Sequence, residues 1–177
     1  MGALSVPVDK LINYYPRRDK KDASWKDVAA VMSRLPGTPC CVQISRAFCG
    51  AGLAVPTRSF RRPTEAFPGG TGWRALLATD EVEEFLSERF DEGQNLQGPN
   101  TKAADVKGSI GGIPGVLIFR HGLRGRFPPQ GKFEHTEIWD GTQILQRDMN
   151  ETYLFGCPRV LFWPTSDASG GATDYEV

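Results

Sequence analysis

Histidine is scarce in this chain, with two residues among 177, and the four cysteines show no paired spacing. A zinc signature needs repeated Cys/His pairs at short intervals, so none is expected. An excess of charge of one sign is also lacking. Lys+Arg and Asp+Glu both number 21, which argues against a general nucleic-acid surface. No long apolar run follows a basic start, because Pro7 and Asp9 interrupt Met1 to Leu11. Neither a secretory signal nor a membrane span is expected, and Val6 stands where a myristoylation signal needs Ser or Thr. The chain therefore reads as a protein made in the cytoplasm without signal peptide or membrane insertion, whose export would need a specialised secretion machine. No repeat is found. The glycine clusters Gly69-Gly70-Thr71-Gly72 and Gly111-Gly112-Ile113-Pro114-Gly115 lack phosphate-loop spacing and read as turns.

What is present suffices for one domain. Hydrophobic residues make up 40% of the chain, with four Trp, four Tyr and ten Phe to fill a core. The domain is expected to span residues 1–164. Residues 165–177, rich in Gly, Ser, Asp and Thr, read as a disordered tail. Apolar periodicity predicts helices over Val8 to Tyr15, Trp25 to Leu35 and Asp80 to Phe90, the last with Val82, Phe85, Leu86 and Phe90 on one stripe. A Pro/Gly/Arg-rich segment covers Val55 to Gly72 and a loop covers Asp91 to Gly112. Strands are predicted near Val116 to Arg120, Phe133 to Trp139, Ile144 to Arg147 and Val160 to Trp163. Helices first and a mostly antiparallel sheet later is an α+β pattern.

Two segments carry chemistry. In Thr38-Pro39-Cys40-Cys41, Thr38 suits a cap and Pro39 the first helical position, which puts Cys40 in the first turn. There the partial positive charge and free N–H groups of a helix start favour thiolate, the nucleophilic form. Ile44, Phe48 and Ala51 would bury one face, and Gly50 or Gly52 would end the helix. The plain alternative is a small buried apolar cysteine. In the second segment, His135, Glu137 and Trp139 alternate with Thr136 and Ile138 as a half-buried strand, before the turn signal Asp140-Gly141. Glu137 beside His135 reads as part of a strand face, because two metal ligands without a third make no site. His121, amid Gly122 and Arg124, reads as a loop residue.

A returning strand from Ile144 would set either Gln146 or Asp148 against His135, depending on the turn. The tight pair Asp140-Gly141 selects Gln146; a loop from Asp140 to Gln143 selects Asp148. Asp148 is preferred, because a carboxylate stabilises an imidazolium while an amide only orients it. Together the segments read as a papain-like thiol hydrolase.

Cys40-Cys41-Val42-Gln43-Ile44-Ser45-Arg46-Ala47-Phe48 resembles the Cys-Ala-Ile/Val-Arg-Met/Leu-Ser-x-Ala-Leu segment of the fourth family of type VI secretion amidase effectors, compact relatives of NlpC-type and papain-like cysteine peptidases. Gly115-Val116-Leu117-Ile118-Phe119 and His135-Thr136-Glu137-Ile138-Trp139-Asp140-Gly141 resemble that family's strand and its His-x-x-Leu-Trp-Asn/Asp-Gly segment. Leu11 to Pro16 and Val160 to Trp163 are similar as well. The chain departs at Gln43, where arginine is usual, at Glu134, where glycine usually precedes the histidine, and over Thr57 to Asn100. A gapless match would also put the orienting carboxylate where Gln146 stands.

The resemblance implies a fold in which the nucleophile helix packs on the sheet bearing the histidine. It implies Cys40, not Cys41, as nucleophile, His135 as its partner, and no metal or cofactor. The implied substrate is the amide between D-glutamate and meso-diaminopimelate in peptidoglycan stem peptides. The implied partner is a cognate immunity protein, and the implied place of action is the target cell periplasm. Cys41, Cys49 and Cys157 are most simply reduced and buried, with a bridge to Cys157 after export as the alternative. Arg58, Arg61, Arg62, Arg120, Arg124 and Arg126 could meet an acidic ligand or partner but read by default as solvated loop charges; the resemblance gives these arginine-rich loops the substrate carboxylates as a possible contact, tested at Arg61 and Arg62. Two other readings stand beside this one: a housekeeping or lytic cell-wall cysteine peptidase, and an inactive binding module of the same fold.

Overall fold

The computed structural model describes residues 2–98, 100–126 and 128–169. Its centre is a helix buried on almost every side. Three short helices, α1 (Val8–Tyr14), α2 (Ala23–Met32) and α3 (Pro39–Gly50), open the chain. Every residue of α3 from Cys40 to Cys49 except Arg46 is buried, so the helix lies inside the molecule, where periodicity had predicted one buried face. Helices α1 and α2, and further along the chain α4 (Thr79–Phe90), pack around it. The start of α3 follows the sequence logic: Thr38 has extended dihedrals, Pro39 occupies the first position, and the N–H of Cys41 returns to the Thr38 carbonyl at 2.9 Å. At its other end Gly50 lets α1 approach, since a Cβ there would lie 2.2 Å from Cγ of Tyr14.

Between α3 and α4 the Pro/Gly/Arg-rich segment folds into a small antiparallel pair, β1 (Glu65–Ala66) and β2 (Arg74–Ala75). After α4, whose Val82, Phe85 and Leu86 are buried as their spacing requires, come β3 (Gln94–Asn95) and helix α5 (Ala103–Ile110). Then follow β4 (Gly115–Arg120), β5 (His135–Trp139), helix α6 (Glu151–Phe155) and β6 (Arg159–Pro164). The main sheet runs β3-β6-β4-β5 and each of its pairings is antiparallel, with Phe119 opposite both His135 and Val160. The α+β class with antiparallel sheets is thus observed. One face of the sheet, with Val116, Ile118, Ile138 and Trp163, packs with α3 and α4. The other, with Leu117, Phe119, Trp139 and Phe162, is covered by α5 and α6. No helix of the described residues is long and apolar enough to cross a membrane.

Three differences from the sequence reading have local causes. Helix α5 occupies a stretch read as loop and α6 one for which no element was predicted; each buries only two side chains, Val106 and Ile110 in α5 and Leu154 and Phe155 in α6, so neither shows a repeating apolar stripe, although Asn150 caps α6 through the N–H of Tyr153 at 3.1 Å. The strand expected from Ile144 to Arg147 does not form. Asp140 Oδ1 accepts from the N–H groups of Thr142 and Gln143 at 2.7 and 2.8 Å, closing a loop that sets Trp139 opposite Ile144, as the longer turn required. Pairing stops there, since the Gln146 N–H is directed to the Glu137 side chain at 3.3 Å and the chain turns again at Met149. Finally, the segment read as a disordered tail is ordered at its start. Thr165 is fully buried, its N–H bonded to the Pro114 carbonyl at 3.0 Å, and Ser166–Ser169 form a 3₁₀ turn whose Asp167 accepts from the Val8 N–H. Residues 170–177 lie outside the described residues.

Candidate active site

The tip of α3 meets the edge strand β5, and there Cys40 and His135 come together. Cys40 is 4% exposed and His135 5%, each reached through a cavity of about 460 Å³ lined also by Trp25, Thr38, Gln43 and Met149. The thiol and imidazole line the same cavity and act on each other's charge, and the Thr136 backbone N–H also favours the thiolate. The imidazole Nε2 lies 3.1 Å from Glu137 Oε2, which leaves Nδ1 for the thiol. Phe119 stacks on the ring with centroids 6.3 Å apart, fixing its plane.

The electrostatics favour an ion pair. The adjacent Cys41 thiol, the imidazolium and the Thr136 N–H hold Cys40 well below the ordinary thiol value, against the opposing effect of burial. Burial alone would push His135 down, but the Cys40 thiolate and Glu137 outweigh it and raise the imidazole to about 10. Cys41 goes the other way: burial and the neighbouring Cys40 thiolate raise it well above the ordinary value, and its sulfur sits 3.8 Å from Thr79 Oγ1. The two adjacent cysteines are therefore pushed in opposite directions, Cys40 toward thiolate and Cys41 toward neutral thiol.

Glu137 is fully buried and held on both oxygens: Oε1 accepts from the Ile138 N–H at 2.9 Å, while Oε2 receives the Gln146 N–H. Asp148 does not reach the imidazole. Its Oδ1 accepts from the Gln146 side chain, whose Oε1 in turn receives Gln43 Nε2 at 3.2 Å. The carboxylate facing the imidazole is Glu137 rather than the expected Asp148, because no return strand forms beyond the Trp139–Ile144 bridge to present Asp148 to β5. The alternation of β5 already placed Glu137 on the same face as His135, and that was the available signal. Gln43, where arginine was expected, also donates to the Pro16 carbonyl at 2.8 Å, tying the α1 exit to the site. The neighbouring Tyr15 is buried with its hydroxyl unpartnered, and burial with the nearby Glu137 charge keeps it protonated.

A second cysteine and histidine also meet. Cys157 Sγ lies 3.5 Å from His121 Nε2, which is 3.0 Å from the Tyr153 hydroxyl. Here burial raises the thiol to about 11, and burial with the nearby Lys132 lowers the imidazole. This pair is neutral. His121 is thus more than an isolated loop residue, but it activates no thiol. All four thiols are free and buried.

The fold and the paired Cys–His–carboxylate geometry together define an α+β protein with an activated thiol at a helix start. The crystal structure of the type VI effector Tae4 from Enterobacter cloacae superposes with a TM-score of 0.62, covering 94% of this chain and 100% of that one at 14% identity. The Tae4–Tai4 effector–immunity complex from the same organism gives 0.58, with 94% and 99% covered at 14% identity. The Tae4–Tai4 complex from Salmonella Typhimurium gives 0.55, with 90% and 98% covered at 15% identity. At these identities the likeness is one of fold. No family model and no curated protein sequence matches the chain.

Proposed function

We propose that this chain is a cysteine amidase of peptidoglycan stem peptides, with a papain-like, NlpC-like arrangement in which Cys40 is the nucleophile, His135 the acid–base and Glu137 the group that orients the imidazole. The observation that carries the reading is the thiol–imidazole pair at the start of α3, in a fold shared with Tae4 over nearly the whole chain. The Cys40 thiolate attacks the amide carbonyl and forms a tetrahedral oxyanion, which the Cys40 N–H at the helix start receives. His135 gives its proton to the leaving amine as the C–N bond breaks and the thioester remains. Water then attacks the thioester, the now neutral His135 takes the water's proton, and the thiolate leaves. Glu137 holds the imidazole through Nε2 during both transfers, and Gln146, Gln43 and Asp148 brace that carboxylate from behind.

The bond we assign is D-glutamate to meso-diaminopimelate, following the sequence resemblance. By the same reasoning the protein is an antibacterial type VI effector that acts in the target periplasm and is neutralised by a cognate immunity protein. Digestion of purified peptidoglycan, beside Cys40→Ala, with mass analysis of the products tests this. Stem-peptide fragments cut at that bond by the native protein and absent with the variant support the reading. Intact peptidoglycan with both proteins would refute it.

A further inference from the structure

The cavity over Cys40 continues into a second one of about 460 Å³, the two sharing Thr38, Phe133 and Glu134. Its charged lining is uneven. The cations are Arg61, Arg62, Arg126 and Lys132; the carboxylates are Asp80 and Glu134. Arg61 is paired with Asp80, and Arg62 with Glu81 at 2.9 Å, so the arginines first considered for substrate are held by α4. Glu134 is tied to the buried Arg120 at 3.1 Å. Arg124, a further member of the basic loop, is occupied by Glu92 at 3.1 Å. Arg126 and Lys132 are exposed and form no ion pair among the described residues. In a chain of zero formal charge, an arm next to the thiol thus carries two uncompensated positive charges.

We propose that this arm is an anion-recognising subsite, in which Arg126 and Lys132 take a free carboxylate of the peptide flanking the amide that Cys40 attacks. A planar guanidinium can grip a carboxylate through two parallel N–H groups, and an ammonium adds a point charge without demanding one geometry. The volume suits a short peptide segment rather than a single ion, being within the roughly 300–1,000 Å³ usual for ligand sites. The substrate class is therefore an acidic peptide amide, and a peptide whose flanking carboxylate is capped as an amide is discriminated against. Because both cations are exposed, the selectivity weakens as salt rises. This inference rests on the amidase reading for its substrate, but its electrostatic content does not.

The test is the double variant Arg126→Ala/Lys132→Ala, assayed in two ways. The first is the ratio of kcat/KM for a stem peptide with free carboxylates to that for its amidated counterpart. The second is the ratio of alkylation rates of Cys40 by iodoacetate, an anion, and iodoacetamide, its neutral analogue, at low salt. Both ratios are expected to fall, the first by about tenfold, the usual worth of a charge-assisted contact, and mainly through KM. When the native protein cleaves the peptides, an unchanged turnover ratio overturns the subsite. When it cleaves neither, the amidase reading fails and the alkylation ratio alone decides: a fall keeps the anion subsite for another acidic amide, and no change overturns it.

Discussion

Glu137 Oε2 stands 3.1 Å from His135 Nε2, two positions along the same strand and on the same face of it. An imidazolium so placed keeps one ring nitrogen on a carboxylate while the other faces sulfur. Glu137→Gln retains the shape and removes the charge that stabilises the protonated ring. We expect kcat/KM to fall by roughly ten- to a hundredfold, the scale of an impaired acid–base group. Asp148→Asn, two bonds removed behind Gln146, should change it by less than about threefold. Steady-state kinetics of the two variants separate the assignments, and the reverse order of effects would restore Asp148.

The pH dependence follows from the same pair. Cys40 is held well below the usual thiol value and His135 is raised to about 10, so the pair is biased toward thiolate and imidazolium. Activity should rise with pH as the thiolate forms, then fall as pH passes about 10 and the imidazolium loses its proton. The sign for stability is the same: a histidine raised above its ordinary value stabilises the fold fully below about 6.5 and loses that contribution as pH rises through its folded value. In Glu137→Gln the alkaline limb should move to lower pH. A kcat/KM profile for the native protein and this variant checks both statements, and an unmoved alkaline limb in the variant would contradict the role given to Glu137.

Two Cys–His contacts in one chain make an internal control. Cys40 is pushed toward thiolate at a helix start, whereas Cys157 beside His121 is raised to about 11. At pH 7 iodoacetamide should label Cys40 first, with Cys41 and Cys157 slower by at least about tenfold, since the thiolate is the reacting species. Peptide mapping of a timed reaction reads this directly. Prior labelling of Cys157 would mean that the charge assignment is inverted.

The two ends of the site were legible in sequence to different degrees. Thr38-Pro39 announced the helix start and Asp140-Gly141 the end of the histidine strand, because caps and turns are local signals written in a few residues. That Cys40 meets His135 was legible as chemistry. The carboxylate at the imidazole is Glu137 where Asp148 was expected, because the choice turned on whether a strand followed Ile144. That depended on the Gln146 N–H preferring a side chain over a ladder carbonyl. Arg120 was likewise misread as a solvated loop charge. Nothing in its neighbours showed that Glu83, far along the chain on α4, would meet it at 2.6 Å in the interior.

Arg120 gives the sharpest stability test. Its side chain is 1% exposed and lies between Glu83 and Glu134, the latter also receiving the His121 N–H at 3.2 Å. Removing one member of a buried charge cluster leaves the others desolvated without their counterion, which costs roughly 3–5 kcal/mol. Arg159, at 3.1 Å, still serves Glu83, so the lower end applies to Arg120→Met. That corresponds to a fall in Tm of roughly 6–12 °C for a domain of this size. Glu134 immediately precedes His135, so its release should also disturb the imidazole and lower kcat more than KM. Replacing Arg120 and Glu134 together by Met and Gln removes the orphaned carboxylate while Arg159 and Arg124 still serve Glu83, and should recover much of the lost stability. Thermal unfolding followed by near-UV circular dichroism measures both variants. If Arg120→Met unfolds within a degree of the native protein, the cluster is solvated and the argument from burial fails.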